Sequence, residues 1–271
     1  MNLINLFLKK LKQYFRRFHI KLTKLLIPSL ERNEADINYL WVSRRFSIDY
    51  FELSNKNYKR FSHIPEAEHQ IGRLINLEKV VKTIREENIP GDFVEFGTFQ
   101  GLFLIWLARF RNKYGLNHKK IIGIDSFEGL PINSNSWEKG QFGNTDKSFV
   151  LKNLKNYLNS EELFNVELIQ GWFSDKNVMN SLYKKTQEIA LIHFDADLKF
   201  STDQAFEIVD PYLYSGNAQF LLFDDWGCHP KEVPQSFYNW KLKHQNISCN
   251  EISSTKLTKY FKIKMIDKEN I

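Results

Sequence analysis

Carboxylate side chains follow two apolar segments of the chain, and their spacing points to metal or acid–base chemistry. Asp195 and Asp197 come directly after one segment, and Asp224 and Asp225 come directly after the next. If the two segments are neighbouring strands, about 4.8 Å apart, these carboxylates converge. Carboxylates held that close repel one another, and a hard divalent cation such as Mg²⁺ relieves the repulsion. Capping of helices and turns is the alternative, because aspartate is common there, and the spacing alone leaves both interpretations open.

A glycine-bearing turn and a further acid follow two earlier apolar segments. Gly97 and Gly101 come after Phe93–Phe96, and Asp125 ends the segment that begins at Ile121. Glycine allows a tight turn and a close approach of a ligand to the backbone. An acid at the end of the second strand suits the two hydroxyls of a ribose. Because many doubly wound proteins share this pair, the pattern does not identify the ligand.

The elements that would position these residues alternate between helix and strand patterns. Helical patterns cover 66–88, a segment through 105–108, 149–158, 177–185, 202–213 and 231–244. Strand patterns cover 93–96, 121–124, 166–170, 189–194, 219–223, 247–253 and 258–265. Continuous apolar strands that alternate with helices are typical of a parallel sheet covered on both faces, with its active site at the carboxyl ends of the strands. The sequence therefore predicts an α/β fold with a doubly wound, mostly parallel sheet of seven strands.

Length and composition limit the class of protein. A chain of 271 residues predicts one large domain with extensions. Cys228 and Cys249 are its two cysteines, which excludes a disulfide scaffold and a cysteine-rich zinc site. The low cysteine count favours a reducing compartment, and we expect a cytoplasmic protein. The sequence contains no run of about 18 apolar residues, so we expect no membrane-spanning helix.

The positive charge is concentrated at the start of the chain. The net charge is +6, and residues 1–30 contain seven lysines and arginines and no acid, so the remainder is close to neutral. A nearly neutral body argues against a nucleic-acid-binding protein. Apolar residues three and four apart within 1–30 predict a basic amphipathic helix, followed by a connector over 31–65. Two interpretations stay open: contact with the inner surface of an anionic membrane, or packing on the domain or on a second copy in a homo-oligomer.

Taken in order, five blocks between residues 72 and 227 resemble the macrocin O-methyltransferase (TylF-type) family. They are Gly91–Gly97, Asp125–Pro131, Gly171–Asp175, His193–Leu198 followed by Ser201-Thr202, and Asp224-Asp225. The resemblance implies a Rossmann-like class I methyltransferase fold over residues 66–271. It also implies S-adenosylmethionine and Mg²⁺ as cofactors, and a small-molecule or glycan acceptor methylated on a sugar hydroxyl.

The resemblance also implies roles for individual residues. The loop after the first strand would hold the methionine part of the cofactor, Asp125 its ribose, and the residues after the second and third strands its adenosine. The cofactor-binding residues would be Glu95, Gly97, Thr98, Gly101, Asp125, Ser126, Phe127, Gly171 and Trp172. The Mg²⁺ ligands would be Asp195, Asp224 and Asp225, and Asp195 would also take the proton from the acceptor hydroxyl.

The chain departs from the family pattern at the acceptor side. Gln100 stands where the family usually has arginine, and Lys199 and Phe200 replace a usual Tyr-Glu pair. The identity of the acceptor therefore does not follow from the resemblance. We expect the long loop over 126–147 to close over substrate as a lid, and we expect His193 to be a core histidine rather than a base.

Two alternatives come from other functional classes. An NAD(P)-dependent oxidoreductase would explain Gly97, Gly101 and Asp125. It would not explain Asp224-Asp225, and Phe99 interrupts the Gly-x-Gly-x-x-Gly turn that binds dinucleotides. A non-catalytic methyltransferase-like module at a membrane surface would explain the basic helix, but not the retained aspartates.

Overall fold

The structure of the protein is a computed structural model that describes residues 65–134, 137–213, 219–228 and 230–266. Two predicted segments lie outside the described residues. They are the amphipathic helix over 1–30 and residues 31–64 of the connector predicted over 31–65. Within the described ranges, no helix is long and apolar enough to cross a membrane.

Seven helices and seven strands alternate in the described part of the chain. The helices are α1 (Pro65–Glu86), α2 (Leu102–Lys113), α3 (Lys147–Tyr157), α4 (Ser160–Leu163), α5 (Lys176–Lys185), α6 (Lys199–Leu213) and α7 (Glu232–Lys243). The strands are β1 (Asp92–Phe96), β2 (Ile121–Asp125), β3 (Val166–Gln170), β4 (Ile189–Phe194), β5 (Gln219–Phe223), β6 (Ile247–Ser254) and β7 (Lys259–Met265). Each predicted element is present, and the short α4 is additional.

The strands form one sheet in the order β3-β2-β1-β4-β5-β7-β6. The first five strands pair in parallel, whereas β7 is antiparallel to both β5 and β6. The prediction of a doubly wound, mostly parallel sheet is therefore confirmed. The strand order changes direction between β1 and β4, and the carboxyl ends beside such a switch point are the usual ligand site of an open α/β sheet.

Side-chain caps fix where several helices begin. The Asp146 carboxylate accepts a hydrogen bond from the backbone N–H of Phe149 at the start of α3, and Asp175 caps α5 in the same way. Asn159 and Glu162 form a capping box around α4. Such caps satisfy backbone donors that have no partner within the helix.

A column of phenyl rings lies in the core beneath the carboxyl ends of the central strands. Phe194 stacks on Phe96 at a centroid distance of 5.8 Å and on Phe223 at 4.8 Å, so the column crosses β1, β4 and β5. All three side chains are fully buried. The residues that follow these strands therefore stand on a rigid, closely packed base.

Candidate active site

The backbone ladder of the sheet continues past the last residues of β3, β4 and β5 and brings the segments that follow them side by side. Asp195 N–H donates to Phe96 O at 2.9 Å, and Asp224 N–H donates to Phe194 O at 2.9 Å. On the other side, Gly171 N–H donates to Asp125 O at 2.9 Å. The segments that follow β4 and β5 are thus held side by side next to the loop after β1.

Gly97 is required where the loop after β1 crosses the end of β4. Its φ is +87°, and a Cβ there would lie 1.8 Å from the carbonyl oxygen of Asp195. Gly101, with φ +83°, immediately precedes α2 and faces Val150. Thr98, between them, is buried, and its hydroxyl has no hydrogen-bond partner among the described residues. The loop therefore lies close to β4 and carries a polar atom that can accept a ligand contact.

Asp125 ties the loops after β1 and β2 together. Its two carboxylate oxygens accept hydrogen bonds from Phe99 N–H at 2.8 Å and Phe127 N–H at 2.7 Å. Burial raises the pKa of Asp125, and these backbone donors oppose the rise. Ser126 is buried and its hydroxyl accepts from Glu128 N–H at 3.1 Å. Each carboxylate oxygen retains a lone pair, so the group can still accept from a ribose hydroxyl.

Gly171 and Trp172 follow β3, next to the loop after β2. Gly171 has φ +149°, and a Cβ there would lie 2.6 Å from the Val178 side chain. Trp172 is half-buried. The predicted position of this pair at the end of the third strand is confirmed, and the structure shows a packing reason for the glycine.

Four aspartates form the acidic cluster, which consists of Asp195, Asp197, Asp224 and Asp225. Burial, together with the carboxylates of Asp224 and Asp225, raises the pKa of Asp195 well above its usual value. Burial and Asp225 do the same for Asp197, and burial with Asp224 raises the pKa of Asp225 to about 6. The four carboxylates therefore oppose one another's ionisation at the ends of β4 and β5.

Arg73 of α1 reaches the same cluster, and sequence analysis did not identify it as a site residue. Its Nη1 donates to Asp224 Oδ2 and lies 3.8 Å from Asp195 Oδ2. The side chains of Arg73 and Asp224 are 9% and 4% exposed. Burial lowers the pKa of Arg73, but the two carboxylates outweigh it and raise the pKa overall.

A buried pair beneath the cluster, Glu95 and His193, was also not predicted as a pair. The two residues are partners in the register of β1 and β4, and His193 Nδ1 lies 3.1 Å from Glu95 Oε1. His193 is fully buried and stacks on Phe103 at 3.6 Å, and burial lowers its pKa to about 3. These observations confirm the expectation of a core histidine. Glu95 Oε2 has no hydrogen-bond partner in the described part of the chain.

The long loop after β2 contacts the loop after β1 through aromatic rings. Phe142 lies 5.4 Å from Phe99 and 5.3 Å from Trp137, measured between ring centroids. Leu130 N–H donates to Gln141 O at 2.9 Å, which closes the base of the loop. The loop therefore packs on the loop after β1, and its closure over substrate stays a prediction. His229, which follows the cluster in sequence, lies outside the described residues.

A family model and several known proteins match this chain. The model of the macrocin O-methyltransferase family (TylF) matches residues 47–255. The chain is 28% identical over 162 residues to the 8-demethyl-8-(2,3-dimethoxy-alpha-L-rhamnosyl)-tetracenomycin-C 4'-O-methyltransferase of Streptomyces olivaceus, which covers 57% of this chain and 60% of that protein. It is 25% identical over 173 residues to the demethyldecarbamoylnovobiocin O-methyltransferase of Streptomyces niveus, covering 59% and 62%. The matches thus span about three fifths of the curated relatives.

Solved structures of methyltransferases share the fold. The O-methyltransferase NovP superposes with a TM-score of 0.60 at 20% identity, covering 72% of this chain and 80% of that chain. The calicheamicin methyltransferase CalS11 gives the same TM-score and identity, covering 84% and 92%. The sheet order and these superpositions confirm the class I methyltransferase fold. Since the family model matches most of its length, the chain belongs to the macrocin O-methyltransferase family.

Proposed function

We propose that this protein is a divalent-cation-dependent O-methyltransferase that moves the methyl group of S-adenosylmethionine to a hydroxyl of a sugar or of a related natural product. The observation that carries the proposal is the position of the acidic cluster. It lies at the switch point of the sheet, directly beside the glycine-bearing loop and Asp125, in a chain of this family. The matched relatives carry names of O-methyltransferases that act on natural products, which supports the same class of acceptor.

The residues on the β1 and β2 side fit a nucleoside cofactor with a charged tail. Thr98 Oγ1 and Glu95 Oε2 are buried polar atoms without partners among the described residues, and such atoms are costly unless something else binds them. Asp125 holds two loops by their backbone N–H groups and keeps lone pairs for hydroxyls. We infer that Glu95, Gly97, Thr98 and Gly101 contact the methionine part. Asp125, Ser126, Phe127, Gly171 and Trp172 would contact the nucleoside.

The acidic cluster fits a hard divalent cation. Its donors are all carboxylate oxygens, which Mg²⁺ prefers. Burial raises the pKa values of Asp195, Asp197 and Asp225, and neighbouring carboxylates raise them further, so a bound cation would relieve an unfavourable concentration of charge. We infer that Asp195, Asp224 and Asp225 hold the cation.

The residues of the chain would then act as follows. When bound, the cation would acidify the acceptor hydroxyl, and S-adenosylmethionine would supply an already activated methyl group. Asp195 is the candidate base, because it lies at the end of β4 with its side chain 30% exposed, and a carboxylate with a raised pKa takes up a proton more readily than an ordinary one. The loop that carries Phe142 and Trp137 would exclude water from the methyl donor.

Lys199 and Phe200 are the residues that we assign to acceptor selection. They begin α6, two residues beyond Asp197, and Phe200 is 45% exposed. Lys199 pairs with Asp203 one turn along the same helix, and its backbone N–H donates to Glu232 at 2.9 Å. An exposed ring beside the cluster suits stacking on a sugar or on an aromatic aglycone.

Calorimetric titration tests the proposal directly. The purified protein is titrated with S-adenosylmethionine and S-adenosylhomocysteine, with and without Mg²⁺, and with NADH as the control. Micromolar binding of the two sulfur compounds alone would support it and justify a screen of sugar acceptors. A folded sample that binds neither would contradict it. Binding of NADH would then indicate an oxidoreductase, and loss of liposome binding on deletion of residues 1–30 would indicate a membrane-surface module.

A further inference from the structure

Arg73 meets the acidic cluster from an element far away in sequence. It lies in α1, 151 residues before Asp224, and its Nη1 contacts Asp224 Oδ2 and lies 3.8 Å from Asp195 Oδ2. The guanidinium also packs over the Phe103 ring, 5.7 Å from its centroid. The Tyr260 hydroxyl of β7 donates to the backbone carbonyl of Arg73 at 3.2 Å, so the backbone of this residue is anchored as well as its side chain.

The two carboxylates that Arg73 meets are both assigned above to the divalent cation. A guanidinium is a permanent positive charge with fixed donors, and here it lies in a largely dehydrated environment where charge–charge interactions are strong. Arg73 therefore stabilises the cluster by the same means as the cation would. When both positive charges are present, they repel each other.

We propose that Arg73 is a built-in counter-cation of the acidic cluster, which holds Asp195 and Asp224 together without a metal and weakens the affinity of the site for the divalent cation. This inference rests on the proposed function, because it takes the cluster to be the cation site. Arg73 is a positioning residue in this account and touches neither substrate nor cofactor. If Arg73 has this role, the site stays assembled when the cation leaves, and it releases the cation readily.

The test compares Arg73→Gln with Arg73→Lys and with a control at a second buried arginine. Arg111 is fully buried, but its guanidinium donates to backbone carbonyls, those of Lys119 at 2.9 Å and of Glu162 at 2.8 Å. Arg111→Gln therefore removes a buried charge without touching the acidic cluster. For each full-length variant, Mn²⁺ affinity is measured by calorimetry, and the melting temperature is measured with and without saturating Mn²⁺.

We expect Arg73→Gln to melt at a lower temperature than the wild type without Mn²⁺ and to bind Mn²⁺ at least about fivefold more tightly, because a nearby like charge is gone. Mn²⁺ should then raise its melting temperature more than it raises that of the wild type. Arg73→Lys keeps the charge and should stay within about twofold of the wild-type affinity. Arg111→Gln should melt lower and keep the wild-type affinity.

Several results would overturn the inference. An unchanged or weaker Mn²⁺ affinity in Arg73→Gln would mean that Arg73 is only a structural brace, while the proposed function would stand. Absence of Mn²⁺ binding by the wild type would overturn both the inference and the cation part of the proposed function. If Arg73→Gln does not fold, NMR of wild-type protein labelled with ¹⁵N-arginine decides. The Arg73 Nε–Hε signal, assigned by its absence from Arg73→Lys, must shift when Mg²⁺ is added, and an unmoved signal would refute the proposal.

Discussion

At the scale of single residues, environment separates aspartates that the sequence presents as equals. Both carboxylate oxygens of Asp125 accept hydrogen bonds from backbone N–H groups, whereas Asp195 and Asp225 interact with other carboxylates. Donors of hydrogen bonds favour the charged form and neighbouring carboxylates oppose it. Asp125 is therefore suited to hold loops and hydroxyls, and the others are suited to a cation or a proton.

We expect Asp224→Asn to reduce cation-dependent turnover by at least about 100-fold, since a proposed ligand is lost, and to leave the affinity for S-adenosylhomocysteine nearly unchanged. It should also lower the melting temperature, because Arg73 loses a charged partner. Asp225→Asn is the matched variant, which should lose turnover equally but melt closer to the wild type. Kinetics, calorimetry and thermal denaturation measure the three quantities. An equal loss of turnover and cofactor binding in Asp224→Asn would show that the residue is misassigned.

Asp125→Ala should weaken the binding of the sulfur cofactor rather than that of the cation. The change removes acceptors for Phe99 and Phe127, each worth about 1.5–3 kcal/mol where the acceptor is charged, and removes the proposed ribose contact. We expect S-adenosylhomocysteine to bind at least about tenfold more weakly, and Mn²⁺ to bind as in the wild type. Calorimetry with each ligand checks both statements. Unchanged affinity for the sulfur compound would refute the ribose assignment.

At the scale of the elements, the loops after the strands carry unusual backbone conformations. Phe99, Phe127, Asp197 and Asp225 all have φ between +45° and +58°, a region that residues other than glycine rarely adopt. Such strain persists only where the surrounding structure enforces it, and it commonly accompanies functional sites. Here the parallel strands and their shared ladder enforce it at the carboxyl edge of the sheet.

Gly97→Ala tests how closely the loop after β1 must approach β4. The added Cβ would meet the Asp195 carbonyl at 1.8 Å, so we expect a loss of at least about 3 kcal/mol in the free energy of unfolding, together with impaired cation and cofactor binding. Gly115→Ala is the control, because Gly115 also has a positive φ but has nothing within 4 Å of the added atom. It should cost about 1 kcal/mol. Urea denaturation measures both, and equal losses would contradict the close-approach argument.

At the scale of the whole molecule, the site rests on the stacked rings that join three strands. Phe194 contacts the rings of Phe96, Phe206 and Phe223 and directly precedes Asp195. A change in this column therefore affects both the stability of the domain and the position of the acidic cluster.

Phe194→Ala should lower the free energy of unfolding by about 3–5 kcal/mol, the usual cost of a large cavity in a core. Phe164→Ala is the surface control, because the Phe164 side chain is 60% exposed, and it should change stability by less than about 0.5 kcal/mol. Urea denaturation followed by tryptophan fluorescence gives both values. A small effect of Phe194→Ala would show that the column does not support the sheet as described.

The sequence by itself determined the elements and the candidate chemistry. Strands β4 and β5 have the bounds that their apolar runs predict, because a central parallel strand is buried on both faces. The aspartates were identifiable because residues that directly follow parallel strands meet at one edge of the sheet. The four-residue α4 gave too short a pattern to predict.

Only the tertiary structure decided which groups face one another. The insertion of β7 between β5 and β6, the contact of Arg73 with Asp224 and the pair of Glu95 and His193 join residues that are distant in sequence. Periodicity reports which face of an element is buried, but it does not report what lies opposite that face. The charge balance of the site depends on those opposing groups, and so it was set by the packing of α1 and the strands rather than by any local motif.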